Sequence, residues 1–301
     1  DVIGLEIKDL DVKSIQSLYK KSKRTKSADI EFEIDTKDGL TKWILGSMNQ
    51  SKTTKEFILV IHDITQLRQL NSMRRDFISN VSHELRTPVS VIRANSETLL
   101  ESALEDKKQA KVFAKAILHN SERLTEMVSD LLDLSRIEHG ELKLHIEKLN
   151  LQECIDQSID SLKNLGKKKN VVIKCNCPNK TQHVLADKKA LERILTNLID
   201  NAFKYSEENS VINIATKTKH KDDNVLISIT DSGKGISDED KPVIFDRFFR
   251  TAEARASEKK GSGLGLAIVK NLVNSLNGDV GVKNAPNNKG SQFWLTLPIA
   301  R

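Results

Sequence analysis

Two long runs of helical periodicity dictate most of what this chain can fold into. From Thr65 the apolar residues Leu67, Leu70, Met73, Phe77, Val81, Leu85 and Val89 recur at spacings of three and four, and the pattern continues through Ile92 and Leu99 to about Leu104. Such spacing predicts one amphipathic helix of about 38 residues, a rod of roughly 57 Å. Asp106-Lys107-Lys108 reads as a polar turn. A second helix follows from about Gln109 through Val112, Ala116, Leu118, Leu124, Val128, Leu131, Leu132 and Ile137 to a stop near Gly140. A hairpin of two such helices has more apolar surface than it can bury on itself. The economical solution is a four-helix bundle made by two copies, a homodimer, with a monomeric hairpin packed on another domain as the alternative.

The flanking segments follow other rules. Residues 1–65 alternate in the β manner at 30–34, 43–45 and 57–61, with Asp38-Gly39 as a hairpin turn, which predicts a small, mostly antiparallel sheet. The basic run Lys20-Lys21-Ser22-Lys23-Arg24 reads as a solvated loop. After Gly140, strands are expected at 142–146, 171–175, 183–186, 211–216, 225–231, 278–282 and 292–297, and helices at 152–162, 188–205 and 263–276. That is an α/β sandwich with helices covering one face of a sheet. The chain is therefore multidomain α+β, divided at 1–65, 66–140 and 141–301.

Composition narrows the function. Aromatic residues make up 4% of the 301 residues, which disfavours a base-stacking nucleic-acid binder. The net charge of +6 comes from lysines spread along the chain, without a groove-filling cluster, and reads as a solvated surface. Cys154, Cys175 and Cys177 have neither disulfide-framework nor metal-site spacing, so reduced thiols and a cytoplasmic setting are expected. No run of 18 apolar residues exists, and the chain begins at Asp1. It reads as a processed or truncated piece, so any membrane association would come from a segment outside it.

Four constellations carry chemistry. His83 lies about 200° from both Val81 and Leu85 on a helix and should point to solvent. Glu84 is next to it, Thr87 one turn on, and Pro88 cannot donate to the Glu84 carbonyl, which predicts a kink or loosened turn. Asn197 and Asn201 share a helix face opposite Leu195, Leu198 and Ile199; paired amide oxygens suit a hard cation such as Mg²⁺. Asp231-Ser232-Gly233-Lys234-Gly235-Ile236 follows a strand and suits an exocyclic amine and a flat ring. Gly261-Ser262-Gly263-Leu264-Gly265-Leu266 opens a helix where phosphates can sit. Between these last two blocks lie Arg247 and Arg250, a turn apart, able to stabilise transferring phosphoryl charge, and a polar stretch at 251–262 that fits a lid over a nucleotide.

In this order the blocks resemble the H, N, G1, F and G2 boxes of bacterial two-component sensor histidine kinases, and Gly290-Ser291-Gln292-Phe293 resembles the small G3 block. The resemblance covers about residues 66–301. Its wording at the H region and after Phe249 is most similar to phosphate-regulon sensor kinases. Residues 1–65 resemble the later part of a PAS-type sensory domain, with Asp63-Ile64-Thr65 as the exit into the helix.

The resemblance implies a Bergerat-type fold for 141–301, with ATP and Mg²⁺ bound there. Asn201 would be the metal ligand with Asn197 assisting, and Lys204 and Tyr205 would contact phosphate or nucleoside. Asp231 would read the adenine amine beside Gly233 and Gly235, and Gly261, Gly263, Leu264 and Gly265 would form the phosphate loop. Arg250 is favoured over Arg247 for the γ-phosphate. Related ATPases that hydrolyse ATP place a glutamate where Asn197 stands, so ATP here would await another nucleophile, His83. Glu84 would orient the imidazole and Thr87 would hold a water for a reverse phosphatase activity. The implied partner is a response regulator receiver domain, and the implied setting is the cytoplasmic part of an inner-membrane sensor protein. An ATP-driven conformational machine of the gyrase or chaperone kind is the rival reading.

Overall fold

The computed structural model describes residues 13–36, 38–103, 106–178, 182–219, 223–256, 261–286 and 289–300. The chain divides into two units, Asp1–Val81 and Ser82–Arg301. In the first, helix α1 (Lys13–Thr25) lies on a three-stranded antiparallel sheet of β1 (Ser27–Asp35), β2 (Thr41–Gln50) and β3 (Phe57–Asp63), in that order. Its small core is Leu18, Ala28 and Met48, flanked by Tyr19, Ile30, Phe57 and Leu59. The basic run expected as a loop is the end of α1. Leu18 and Ser22, one turn apart, are buried while the lysines point outward, and Lys23 and Arg24 complement the negative helix end.

The β3 strand leads directly into α2 (Thr65–Thr98), where Asp63 Oδ1 accepts hydrogen bonds from the Thr65 hydroxyl at 2.6 Å and amide at 3.0 Å. Helical structure runs on to Ala103, beside the end expected near Leu104, with a change of winding in its last turn. Residues Leu99–Ala103 form a π-turn, and Leu104 lies outside the described residues. α2 continues through Pro88 as α-helix, so the proline does not end it. The ring is the one buried residue of α2, and the Thr87 hydroxyl donates to the His83 carbonyl at 3.4 Å, so burial and a side-chain bond offset the missing amide. Helix α3 (Lys107–Glu138) starts two residues before the expected position because Asp106 is its N-cap, accepting from the amides of Lys108 at 2.8 Å and Gln109 at 3.3 Å. It stops at His139, with Gly140 at φ +68°.

Beyond the hairpin, β5 (Val172–Asn176), β7 (Val211–Lys219), β8 (Asn224–Thr230), β10 (Ser291–Pro298) and β9 (Val280–Asn284) form one sheet in the order 5-7-8-10-9. It is antiparallel except between β5 and β7. A separate pair joins β4 (Glu147–Asn150) to β6 (His183–Ala186). Helices α4 (Leu151–Lys169), α5 (Lys188–Tyr205) and α7 (Gly265–Ser275) bury alternating sheet residues such as Ile212, Ile214, Ile227 and Leu295. Leu191, Ile194, Leu195, Leu198 and Ile199 of α5 are wholly buried, each worth roughly 1.5–3 kcal/mol. The strand expected at 142–146 is absent; pairing with β6 begins at Glu147. The preceding stretch is instead pinned by Asp187, whose one carboxylate oxygen accepts from the His145 amide while the other caps α5 at Ala190, each at 2.9 Å.

Candidate functional site

The polar face of α5 opens into a cleft of about 1420 Å³. Asn197, Asn201, Lys204, Tyr205, Asp231, Gly235, Arg250, Gly261, Gly263 and Gly265, all singled out from sequence, line it together. Three predicted members of this group do not line it in the same way. Arg247 is drawn away by an ion pair with Glu138 at the end of α3. Gly233 serves the loop through its amide, which donates to Asp231 Oδ1 at 2.8 Å. Leu264 is wholly buried at the start of α7, so only its backbone can face a ligand. Of the polar stretch proposed as a lid, residues 257–260 lie outside the described residues, and Ala252–Ala256 form the short helix α6.

The cleft is held open by close backbone packing. Gly263 has φ +72°, and a Cβ there would come within 2.7 Å of the Phe248 carbonyl carbon, whose residue donates its amide to the Gly263 oxygen at 2.9 Å. A Cβ at Gly265 would meet Asn197 Oδ1 at 2.7 Å. The Asn197 side chain is held at its other end, where Nδ2 donates to the Arg193 carbonyl at 2.9 Å. Asn201 makes no side-chain hydrogen bond among the described residues, so its amide oxygen is available to a ligand. Lys204 pairs with Asp200 at 2.6 Å, one turn back on α5. The Arg250 guanidinium donates to the Ala254 carbonyl in α6. Asp231, 6% exposed, accepts from the amides of Gly233 and Ser291.

No group of three His, Cys, Asp or Glu that could cage a metal occurs among the described residues. This donor set fits Mg²⁺, which keeps most of its waters and takes one or two protein oxygens beside phosphate. Asn201 would hold it, and Asn197 would assist.

His83 is exposed, as its position on α2 predicts, and so is Thr87; Glu84 is half-buried. None of the three lines the cleft. The wall opposite α5 is formed by α3 residues absent from the predicted site: His119, Glu122, Arg123, Glu126 and Asp130. Their three- and four-residue spacing on one face was the available signal. Met127 and Leu134 on α3 join the core of the C-terminal domain, and Arg193 on α5 pairs with Asp130 and, at 3.8 Å, with Asp133. Burial pushes the Asp130 carboxyl above its ordinary range, despite the neighbouring Arg193 guanidinium.

Two family models match the chain: "His Kinase A (phospho-acceptor) domain" over residues 73–140 and "Histidine kinase-, DNA gyrase B-, and HSP90-like ATPase" over 186–301. The sensor-like histidine kinase SenX3 of Mycobacterium tuberculosis is 35% identical over 249 residues, 82% of this chain and 60% of its own length. The sensor protein kinase WalK of Staphylococcus aureus is 30% identical over 305 residues, 99% of this chain and 71% of that protein. Among solved structures, the Acinetobacter baumannii histidine kinase AdeS is 25% identical, covers 73% of this chain and 98% of that one, and has a TM-score of 0.60. The chain thus spans about 60% of the length of SenX3.

Proposed function

Because the chain belongs to the two-component sensor histidine kinases, we propose that it phosphorylates its own His83 from ATP and passes the phosphoryl group to an aspartate of a response regulator receiver domain. The observation that carries this reading is the convergence of Asn201, Lys204, Asp231, Arg250 and the 261–265 loop on one cleft, in a chain whose α2 carries the exposed His83.

Each residue has a defined task. Asp231 reads the adenine amine, the glycine loop and the start of α7 receive the phosphates, and Arg250 meets the γ-phosphate. Asn201 would hold Mg²⁺, which would supply charge neutralisation to the phosphates. With an amide at Asn197, no carboxylate stands there to activate water, which preserves ATP for the imidazole. Glu84 accepts the Nδ1 proton of His83, so that the Nε2 lone pair attacks the γ-phosphorus. The Nε2–P bond forms as the bond to the ADP oxygen breaks. The receiver's aspartate then takes the phosphoryl group from nitrogen.

Thr87, one turn from His83 with its hydroxyl on the exposed face, supports a second activity, dephosphorylation of the regulator by a water held there. Two copies would form the four-helix bundle, and the sheet of residues 27–63 would be the remnant of a PAS-like sensor. The parts are then a sensory segment at 1–65, a dimerising phosphoacceptor hairpin at 66–140 and an ATP-binding domain at 141–301, placed at the cytoplasmic side of a membrane sensor. Incubation with Mg²⁺ and γ-labelled ATP should give an alkali-stable, acid-labile phosphoprotein. ATP turnover without phosphoprotein would favour the gyrase-like machine instead. Thr87→Ala should keep labelling within about twofold and slow regulator dephosphorylation by at least about tenfold, measured as decay of labelled regulator.

A further inference from the structure

One ion pair inside the hairpin bears directly on His83. Arg123 reaches from α3 to α2, with its guanidinium 3.4 Å from Glu84 Oε2, and the two side chains are only 20% and 32% exposed. Arg123 also lines the large cleft, whereas His83 does not. The carboxylate beside the acceptor is thus engaged by the neighbouring helix. The exposed imidazole has no side-chain hydrogen bond among the described residues.

We infer that Arg123 is a positioning residue that keeps Glu84 off His83 until phosphate oxygens in the cleft draw the guanidinium away. This rests on the kinase reading above. The chemistry sets the requirement: neutral imidazole can attack through one nitrogen only if the proton sits on the other, and a carboxylate accepting that proton fixes the tautomer. A carboxylate facing a guanidinium is instead oriented toward the cation. Arg123 presents five donors and stands on the wall of the anion-binding cleft, so a nucleotide's phosphates compete for the same fork. Entry of the phosphoryl donor and release of the Glu84 carboxylate become one event, and the acceptor is oriented only when there is something to accept.

The tautomer of His83 tests this without requiring phosphorylation. In the full chain labelled with nitrogen-15 histidine at about pH 8.5, above the ordinary imidazole value of about 6.5, His83 should be mainly the Nε2–H form. Arg123→Gln should shift it toward Nδ1–H, and adding Glu84→Gln to that variant should reverse the shift. Arg123→Lys, which keeps a cation in place, should retain the original spectrum. A non-hydrolysable ATP analogue with Mg²⁺ should move the original protein in the same direction as Arg123→Gln. At saturating ATP, where the phosphates have already drawn the guanidinium off, the initial labelling rate of Arg123→Gln should stay within about twofold of that of the original protein. An unmoved tautomer in Arg123→Gln, or a shift that Glu84→Gln leaves intact, overturns the inference. Absence of label on His83 in the unaltered protein would defeat the kinase reading, while the tautomer comparison would still decide the role of Arg123.

Discussion

Asp231 Oδ1 accepts amide hydrogens from both Gly233 at 2.8 Å and Ser291 at 3.1 Å, so one carboxylate oxygen ties the loop after β8 to the start of β10. Asp231→Asn keeps an oxygen for those amides and removes the acceptor proposed for adenine. It should leave the melting temperature within about 2 °C and weaken ATP binding by roughly 1–3 kcal/mol, read by calorimetry. The residues of this site were legible because each glycine or carboxamide sits beside a recognisable neighbour in the sequence. What stayed hidden was mutual restraint. That Gly263 must lack a side chain because the Phe248 backbone lies against it, or that Arg123 holds Glu84, depends on contacts between segments distant in the chain.

At the scale of elements, α5 and β6 match their expected bounds residue for residue, because strong patterns end at strong signals. The errors share a cause. Charge alone makes 20–24 read as a loop and pattern alone makes 142–146 read as a strand, whereas their fate is set by what packs or bonds against them: the sheet under Leu18, and the Asp187 carboxylate on the His145 amide. Burial tends to raise the Asp187 carboxyl, but amide hydrogen bonds from Ala190, His145 and Lys189 outweigh it and hold it below its ordinary value. A carboxyl lowered on folding stabilises above its unfolded value of about 3.9, and that contribution is lost as pH falls through the folded value. Asp187→Ala should therefore cost about 1 kcal/mol near neutrality. In urea titrations the difference from the original chain should shrink steadily below about pH 4.

Across the whole molecule, the helices leave apolar surface uncovered in a single copy. Leu70, Met73, Val112, Leu118 and Val128 are each more than 40% exposed, which is the surplus that the periodicity foretold. Leu118→Glu should convert a dimer in sedimentation analysis to monomer and leave ATP binding unchanged, since Leu118 does not line the cleft. Within the unit Ser82–Arg301, the ATP-binding domain packs on its own α3, and the histidine on the cleft wall is His119 rather than His83. The proposed phosphoryl transfer to His83 would therefore need a change in how that domain meets the hairpin, or the His83 of a second copy. The sequence holds seven histidines, so the most direct test is to map the phosphoryl group after reaction with Mg²⁺ and ATP, by fragmentation mass spectrometry under alkaline conditions. The phosphoryl group should be on His83 and should vanish with His83→Gln; finding it on His119, or undiminished in that variant, would contradict the assignment of His83 as the acceptor.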